Sequence, residues 1–346
     1  MKRFSLGTEL IFGEGSLDFL STLGKKSAMV VTDSFFSRSG LAKTALDKVG
    51  SGIIFDKVQP DPSALLAAEG AALLKQHKPD LLIALGGGSA MDCAKGILLA
   101  AESRPTFVAI PTTSGTGSEV TSFSILTHDD VKHALIDPTM RPDYAILDAD
   151  LLHDLPPKLI AESGMDALCH CVEAAAAKNA NAITDALAGE ALRLLLEYLP
   201  RSFSGDTAAR SHVHLAAAMA GIAFDNAGLG AVHALAHALG GAYHLPHGRL
   251  CGILLPIVME ENKTAAGAKY AALAAGCGMA SFSQLRRSIL CLRKSLLLPA
   301  TLKEAGFAAI DANAIVSAAM KDPCLAGNPK TAAQEDLLRI LKEAMG

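Results

Sequence analysis

This chain has no apolar run long enough to cross a bilayer as one helix, although half of its residues are apolar. Its start, Met1-Lys2-Arg3-Phe4-Ser5-Leu6-Gly7, carries charge without the apolar region and cleavage site of a secretion signal. A cytoplasmic protein is expected. No excess of either charge is present: 31 basic and 35 acidic residues leave a net −4, which gives no electrostatic reason to bind nucleic acid. The one notable basic cluster, Arg286-Arg287 with Arg293-Lys294, reads as a solvated helix face. The seven cysteines are odd in number and lack zinc-finger spacing, so reduced thiols are expected rather than disulfides. There is also no low-complexity linker and no internal repeat.

What is present suits two directly packed domains with a cleft between them, since 346 residues exceed one ordinary core. In the first half, Ala28–Thr32, Ile53–Phe55, Leu81–Leu85 and Phe107–Ile110 read as buried strands. Helical stretches run between them from Gly40 to Val49, Ser63 to His77 and Met91 to Ala101. This alternation predicts a parallel sheet covered by helices. Phe123–Thr127 and His133–Ile136, parted by His128-Asp129-Asp130, predict a hairpin, and Tyr144–Leu147 one more strand. Beyond Asp154 the pattern is almost wholly helical. Pro156-Pro157 opens the first helix, and Pro200 is expected to end the one over Leu187–Leu199. The boundary falls near Leu152, giving an α/β domain over 1–152 and an all-helical domain over 153–346.

Gly86-Gly87-Gly88-Ser89 follows a strand and precedes a helix. Glycines there let backbone approach a pyrophosphate, and the helix N-terminus offers free N–H groups. Ser89 is placed as a cap or a phosphate donor. The loop is neither a Walker A nor a GxGxxG sequence, and a tight turn without ligand is the competing reading. Asp33, ending the Ala28–Thr32 strand, can accept from ribose hydroxyls and would repel a 2′-phosphate, favouring NAD over NADP; a plain helix cap is its ordinary role. The hydroxyl-rich loop Pro111-Thr112-Thr113-Ser114-Gly115-Thr116-Gly117-Ser118-Glu119 offers further donors.

Histidines are concentrated in His233-Ala-Leu-Ala-His237-Ala-Leu-Gly-Gly-Ala-Tyr-His244-Leu-Pro-His247-Gly248. Asp166 and His170 lie four apart on a predicted helix, hence on one face and roughly 6 Å apart along its axis. His233 and His237 repeat that spacing. Gly240-Gly241 and Pro246 are expected to break the chain and return His247 toward His233. A carboxylate with three imidazoles suits Fe²⁺ or Zn²⁺. Spacing leaves open whether His237, His244 or His247 is the third imidazole. Gly164, costing about 1 kcal/mol in a helix, suggests close packing against a cofactor or backbone.

Gly86-Gly-Gly-Ser-Ala-Met-Asp92-Cys-Ala-Lys95, Pro111–Thr121, Gly164-Met-Asp166-Ala-Leu-Cys-His170 and His233–Gly248 together resemble the iron-containing (group III) alcohol dehydrogenases, in the family's order and over most of the chain. Phe4-Ser5-Leu6, Phe12–Leu17, His244–Gly248 and Asn328-Pro329 are similar to the branch formed by the propanol dehydrogenases of propanediol-utilisation operons. The resemblance implies a dinucleotide-binding domain, an all-helical metal domain and an active site between them. It implies Asp166, His170, His233 and His247 as ligands of Fe²⁺, or of Zn²⁺, with His237 near the nicotinamide and relaying a proton. It further implies Gly86, Gly87, Gly88 and Ser89 at the pyrophosphate, Thr112 and Thr113 beside the cofactor, Asp33 at the adenosine ribose and Lys132 near the nicotinamide ribose. Reversible NAD-linked oxidation of a short primary alcohol such as propanol or ethanol follows. So do a homodimer and a cytoplasmic location, inside a bacterial microcompartment or free. The competing readings are a zinc-dependent polyol dehydrogenase, a dehydroquinate synthase-like lyase and a catalytically silent nucleotide-binding component. The chain departs from the family in its shorter C-terminal region, in Asp148-Ala149-Asp150, and in Cys169 and Cys171 where threonine and alanine are usual.

Overall fold

The computed structural model describes residues 2–129 and 131–346. They form two compact units: Leu6–Asp154, and Leu155–Gly346 together with the first residues of the chain up to Ser5. The Asn226 side chain fastens that leading segment, accepting from Ser5 N at 2.6 Å.

In the first unit, β1 (Glu9–Phe12), β2 (Ser27–Asp33), β3 (Ser51–Val58), β4 (Leu81–Gly86), β5 (Thr106–Pro111) and β8 (Tyr144–Leu147) form one parallel sheet in the order β1-β8-β5-β4-β2-β3. Side-chain alternation divides the aliphatic residues between two cores, one on each face. Ala28, Val30, Leu81, Ile83 and Val108 join Ala42 and Ala45 of α2 (Leu41–Val49). Met29, Val31, Leu82, Ala84 and Phe107 join Ala71 and Leu74 of α3 (Ala64–His77) and Ile97 of α4 (Gly88–Ala101). Strands covered on both faces are aliphatic throughout, which is why they read as continuous apolar runs. The short α1 (Ser34–Arg38) follows β2 directly. β6 (Phe123–His128) and β7 (Val131–Ile136) pair as an antiparallel hairpin; Asp130, at the expected polar break, lies outside the described residues.

From β2 the chain moves to β3 on one side, whereas β4 lies on the other. The order therefore reverses between β2 and β4, and open α/β sheets bind ligands outside the carboxyl ends of strands at such a reversal.

The second unit is helical: α5 (Pro157–Ala176), α6 (Ala182–Phe203), α7 (Thr207–Ala227), α8 (Ala231–Tyr243), α9 (His247–Glu261), α10 (Lys263–Gly276), α11 (Phe282–Ser295), α12 (Ala312–Ala319) and α13 (Gln334–Met345). Among the described residues no single helix is long and apolar enough to span a membrane; α7 and α8 meet that test only as a pair bent by 104°.

Four local expectations fail. Pro200 does not end α6, which continues to Phe203, since a proline near a helix end removes only one intrahelical donor. Gly240 and Gly241 lie within α8; the turn comes at His244, whose φ of 55° ends the helix. Gly164 packs against a side chain rather than backbone, as an added Cβ would meet Leu199 Cδ1 at 2.3 Å. The basic face of α11 is not wholly solvated. Pro256 within α9 cannot donate to Gly252 O, and Arg293 Nη1 donates to that carbonyl instead at 3.3 Å, while Arg286 Nε reaches Pro256 O at 2.8 Å.

Candidate metal centre and dinucleotide loop

Three helices of the second unit bring the metal candidates together. α5 places Asp166, His170 and Glu173 on one face by i, i+4, i+7 spacing. α8 presents His233 and His237, and α9 begins at His247. Close approach of α9 to α5 depends on Gly248: a Cβ there would lie 1.9 Å from Glu162 O and 3.3 Å from Asp166 Cβ. Arg249 adds a tie, donating through Nε and Nη2 to Glu162 Oε1 at 3.1 and 2.6 Å.

Around Asp166 Oδ1 stand His247 Nε2 at 3.3 Å, His233 Nε2 at 3.4 Å and His170 Nε2 at 3.8 Å. Donors bound tetrahedrally at about 2.1 Å lie roughly 3.4 Å from one another, so the closer two separations match a shared ion. Asp166 Oδ1 and His233 Nε2 are buried without a hydrogen-bond partner, a costly state for two polar atoms facing each other. The other ring nitrogen of His233 is satisfied. Nδ1 meets Glu173 Oε2 at 2.6 Å, and Glu173 Oε1 accepts from Val232 N at 2.8 Å. A carboxylate on Nδ1 fixes the tautomer whose Nε2 lone pair can ligate. Burial alone would raise the Asp166 pKa, but the imidazoles of His170 and His247 outweigh it and hold the carboxyl well below its usual range. The donor set fits a divalent cation.

Asn328 positions α8. Its Oδ1 accepts from Ala231 N at 3.2 Å and from Asn262 Nδ2 at 2.9 Å, and its Nδ2 donates to Asn262 Oδ1 at 3.0 Å. His237 does not face Asp166; its Nδ1 pairs with Asp322 Oδ2 at 2.8 Å, and its ring stacks on His247 at 5.1 Å. Burial lowers the His237 pKa against the pull of Asp322. His244 is exposed at the end of α8, so His247 rather than His244 joins His233 at Asp166.

Sequence reasoning missed Glu173, Asp322 and Cys251. Glu173 was legible as Asp166 plus seven. Cys251 repeats the four-residue spacing from His247, and among the described residues Asp166, His233, His247 and Cys251 bring one donor atom each within 4.8 Å of one another. Asp322 lies too far along the chain for any spacing argument.

In the first unit, Asp33 and Gly86 end the adjacent strands β2 and β4 at the reversal, and Pro111 pairs with Gly86 on β5. Gly86 has φ +148° and Gly88 faces Thr116, where a Cβ would meet Cγ2 at 2.9 Å. Glycine at both positions is thus demanded by the turn and the neighbouring loop, whatever binds there. Gly87, Gly88, Ser89 and Thr113 are half-buried, and Thr112 is buried with its N–H donating to Gly86 O at 3.0 Å. Ser89 is not a cap: Gly87 holds that position without a side-chain bond. Asp33 does cap, accepting through Oδ1 from Phe35 N and Phe36 N at 2.8 and 3.1 Å. Lys132 on β7 donates to Asp61 Oδ1 at 2.6 Å. Buried Lys95 organises the second loop, donating to Ser118 O, Ser118 Oγ and Phe123 O at 2.7, 2.8 and 2.7 Å.

Family comparison resolves what kind of protein combines such parts. The iron-containing alcohol dehydrogenase family matches residues 7–149, and the C-terminal region of the Fe-containing alcohol dehydrogenase family matches residues 160–345. The chain belongs to the iron-containing alcohol dehydrogenase family. It is 39% identical to the 1-propanol dehydrogenase PduQ of Salmonella typhimurium, with all of both chains covered. It is 35% identical to the NADPH-dependent butanol dehydrogenase of Clostridium saccharobutylicum, over 99% of this chain and 97% of that one. The solved iron-containing alcohol dehydrogenase of Thermococcus thioreducens superposes with a TM-score of 0.93 at 31% identity, over 99% of both chains. This dehydrogenase is therefore an enzyme of reversible alcohol oxidation, built as a parallel α/β unit followed by a helical one.

Proposed function

We propose that this dehydrogenase interconverts a short primary alcohol and its aldehyde, of the propanol/propanal or ethanol/acetaldehyde kind, using NAD(H) and one divalent cation held by Asp166, His170, His233 and His247. The observation that carries the reading is His233. It is buried, fixed at Nδ1 by Glu173, and its Nε2 aims without a partner at an equally unpartnered Asp166 Oδ1. A bound cation supplies Lewis-acid polarisation of the substrate oxygen, an effect of several kcal/mol on a charged transition state.

The chain's own residues do the rest. Glu173 orients His233, and Asp166 contributes a negative charge that persists across physiological pH because its pKa is low. The His170 ring lies between Phe224, tilted against it at 4.4 Å, and His233, stacked on it at 4.5 Å, which limits its rotation. Asp322 holds the Nδ1 side of His237, and this imidazole, its neutral form favoured by burial, accepts and passes on the alcohol proton. At the carboxyl ends of β2 and β4, Gly86, Gly87, Gly88 and Ser89 meet the pyrophosphate, and Thr112 and Thr113 lie beside it. Asp33 meets the adenosine ribose and Lys132 the nicotinamide ribose. The charge of Asp33 supports NAD over NADP.

The family name supports iron; the nitrogen and oxygen donors serve zinc equally well. A cytoplasmic homodimer serving propanediol utilisation, free or within a bacterial microcompartment, completes the reading on the strength of the propanol dehydrogenase likeness. Oxidation of NADH by a series of aldehydes, with protein loaded anaerobically with iron or zinc, tests the function. Turnover that peaks at propanal or acetaldehyde and requires metal supports it, and a metal-loaded protein inert toward every short aldehyde refutes it.

A further inference from the structure

We propose that Cys251 contributes a thiolate to the cation held by Asp166, His170, His233 and His247, and that this sulfur donor biases the site toward zinc over ferrous iron. The proposal rests on the cation site described above and extends its donor set.

Cys251 is buried one helical turn beyond His247 on α9, so both side chains leave the same face. Its Sγ lies 3.4 Å from His247 Nε2 and within 4.8 Å of the donor atoms of Asp166 and His233. Two of those atoms, Asp166 Oδ1 and His233 Nε2, are buried without partners, so the cluster points to a ligand independently of the cysteine. The ordinary role for this thiol is a hydrogen bond to His247 Nε2. That role and metal binding by His247 exclude each other, because the same Nε2 lone pair serves both. Once His247 ligates, the Cys251 thiol loses its acceptor there. Cys169, hydrogen-bonded to Cys251, remains beside it; as the sulfur–metal bond forms the thiol proton leaves to solvent, and the metal's oxidation state is unchanged. Thiolate is a soft donor that favours zinc, whereas a purely imidazole and carboxylate site leaves the choice more open.

Cobalt(II) is the probe. The apoprotein loaded with Co²⁺ should show visible d–d bands from the protein-bound ion together with an intense near-ultraviolet sulfur-to-cobalt charge-transfer band. C251S should lose the near-ultraviolet band and keep the visible ones, C251A should do the same, and both should bind zinc less tightly relative to ferrous iron in competition. Visible bands without the near-ultraviolet band in the unaltered protein would overturn the proposal and leave the nitrogen and oxygen site standing. A near-ultraviolet band that survives in both variants would also overturn it. Absence of any cobalt spectrum would remove the cation site itself, and this inference with it.

Discussion

At the scale of single residues, the proposed metal centre relies on side chains outside its donor set. Glu173 holds His233 in one tautomer. Glu173→Ala is expected to weaken metal affinity about 10- to 100-fold, measured by competition with a chromophoric chelator, while Glu173→Gln, which keeps an acceptor oxygen, should recover part of the loss. In the first unit two buried carboxyls, Asp92 and Glu119, are pushed up to about 7 by burial. Burial raises the Glu119 pKa from 4.5 to about 7, against weaker lowering by its own backbone and by Lys95. Because the folded value is the higher one, the protonated form's stabilisation is complete below about pH 4.5 and is lost as pH rises toward 7. Glu119→Gln should remove the Glu119 share of that window, leaving the Asp92 share, and raise stability above pH 7 by about 3 kcal/mol, with no gain at pH 4. Denaturant melts at pH 4, 6 and 8 check this; equal shifts at all three would contradict it. Asp33 separates structural and functional roles. Asp33→Ser keeps a capping oxygen but removes the charge, so the KM for NADPH should fall while the fold's stability stays nearly unchanged.

At the scale of elements, the site is made by how tightly α9 lies on α5. Gly248 has backbone where a Cβ would go, 1.9 Å from Glu162 O. Gly248→Ala must push the first turn of α9 away and His247 with it. We expect a stability loss of about 1–3 kcal/mol and a larger proportional loss of metal affinity, read from thermal unfolding and chelator competition together. Normal metal binding in that variant would separate the ligand geometry from this contact. The elements also show what a sequence can reveal. The parallel strands were legible because burial on both faces leaves uniform aliphatic runs, and the i, i+4 pairs were legible because a helix converts spacing into direction. Breaks were misread where tertiary packing overrode local preference, as at Pro200 and Gly240-Gly241. Of the two roles open to Ser89, cap or phosphate donor, the cap fails because α4 begins at Gly88, two residues before a helix capped by Ser89 would start.

At the scale of the whole molecule, the proposed function gives each unit its own ligand, so each should respond to its own ligand. A bound cation at a hundredfold excess over its Kd stabilises the folded state by about 2.7 kcal/mol. Chelation should therefore lower the melting temperature, and NAD should raise it by a separate increment that His233→Ala leaves in place. Long-range partnerships set the limit of what could be read in advance. Asp322 reaches His237 across 85 positions, and Asn328 reaches Ala231 across 97. No local pattern encodes such pairs; only the packed helices bring them together. The most direct measurement is metal content per chain in the unaltered protein and in His233→Ala, with NAD binding measured on the same samples. One equivalent of iron or zinc, lost in the variant while NAD binding persists, is the predicted result; a full equivalent retained by His233→Ala would contradict the account.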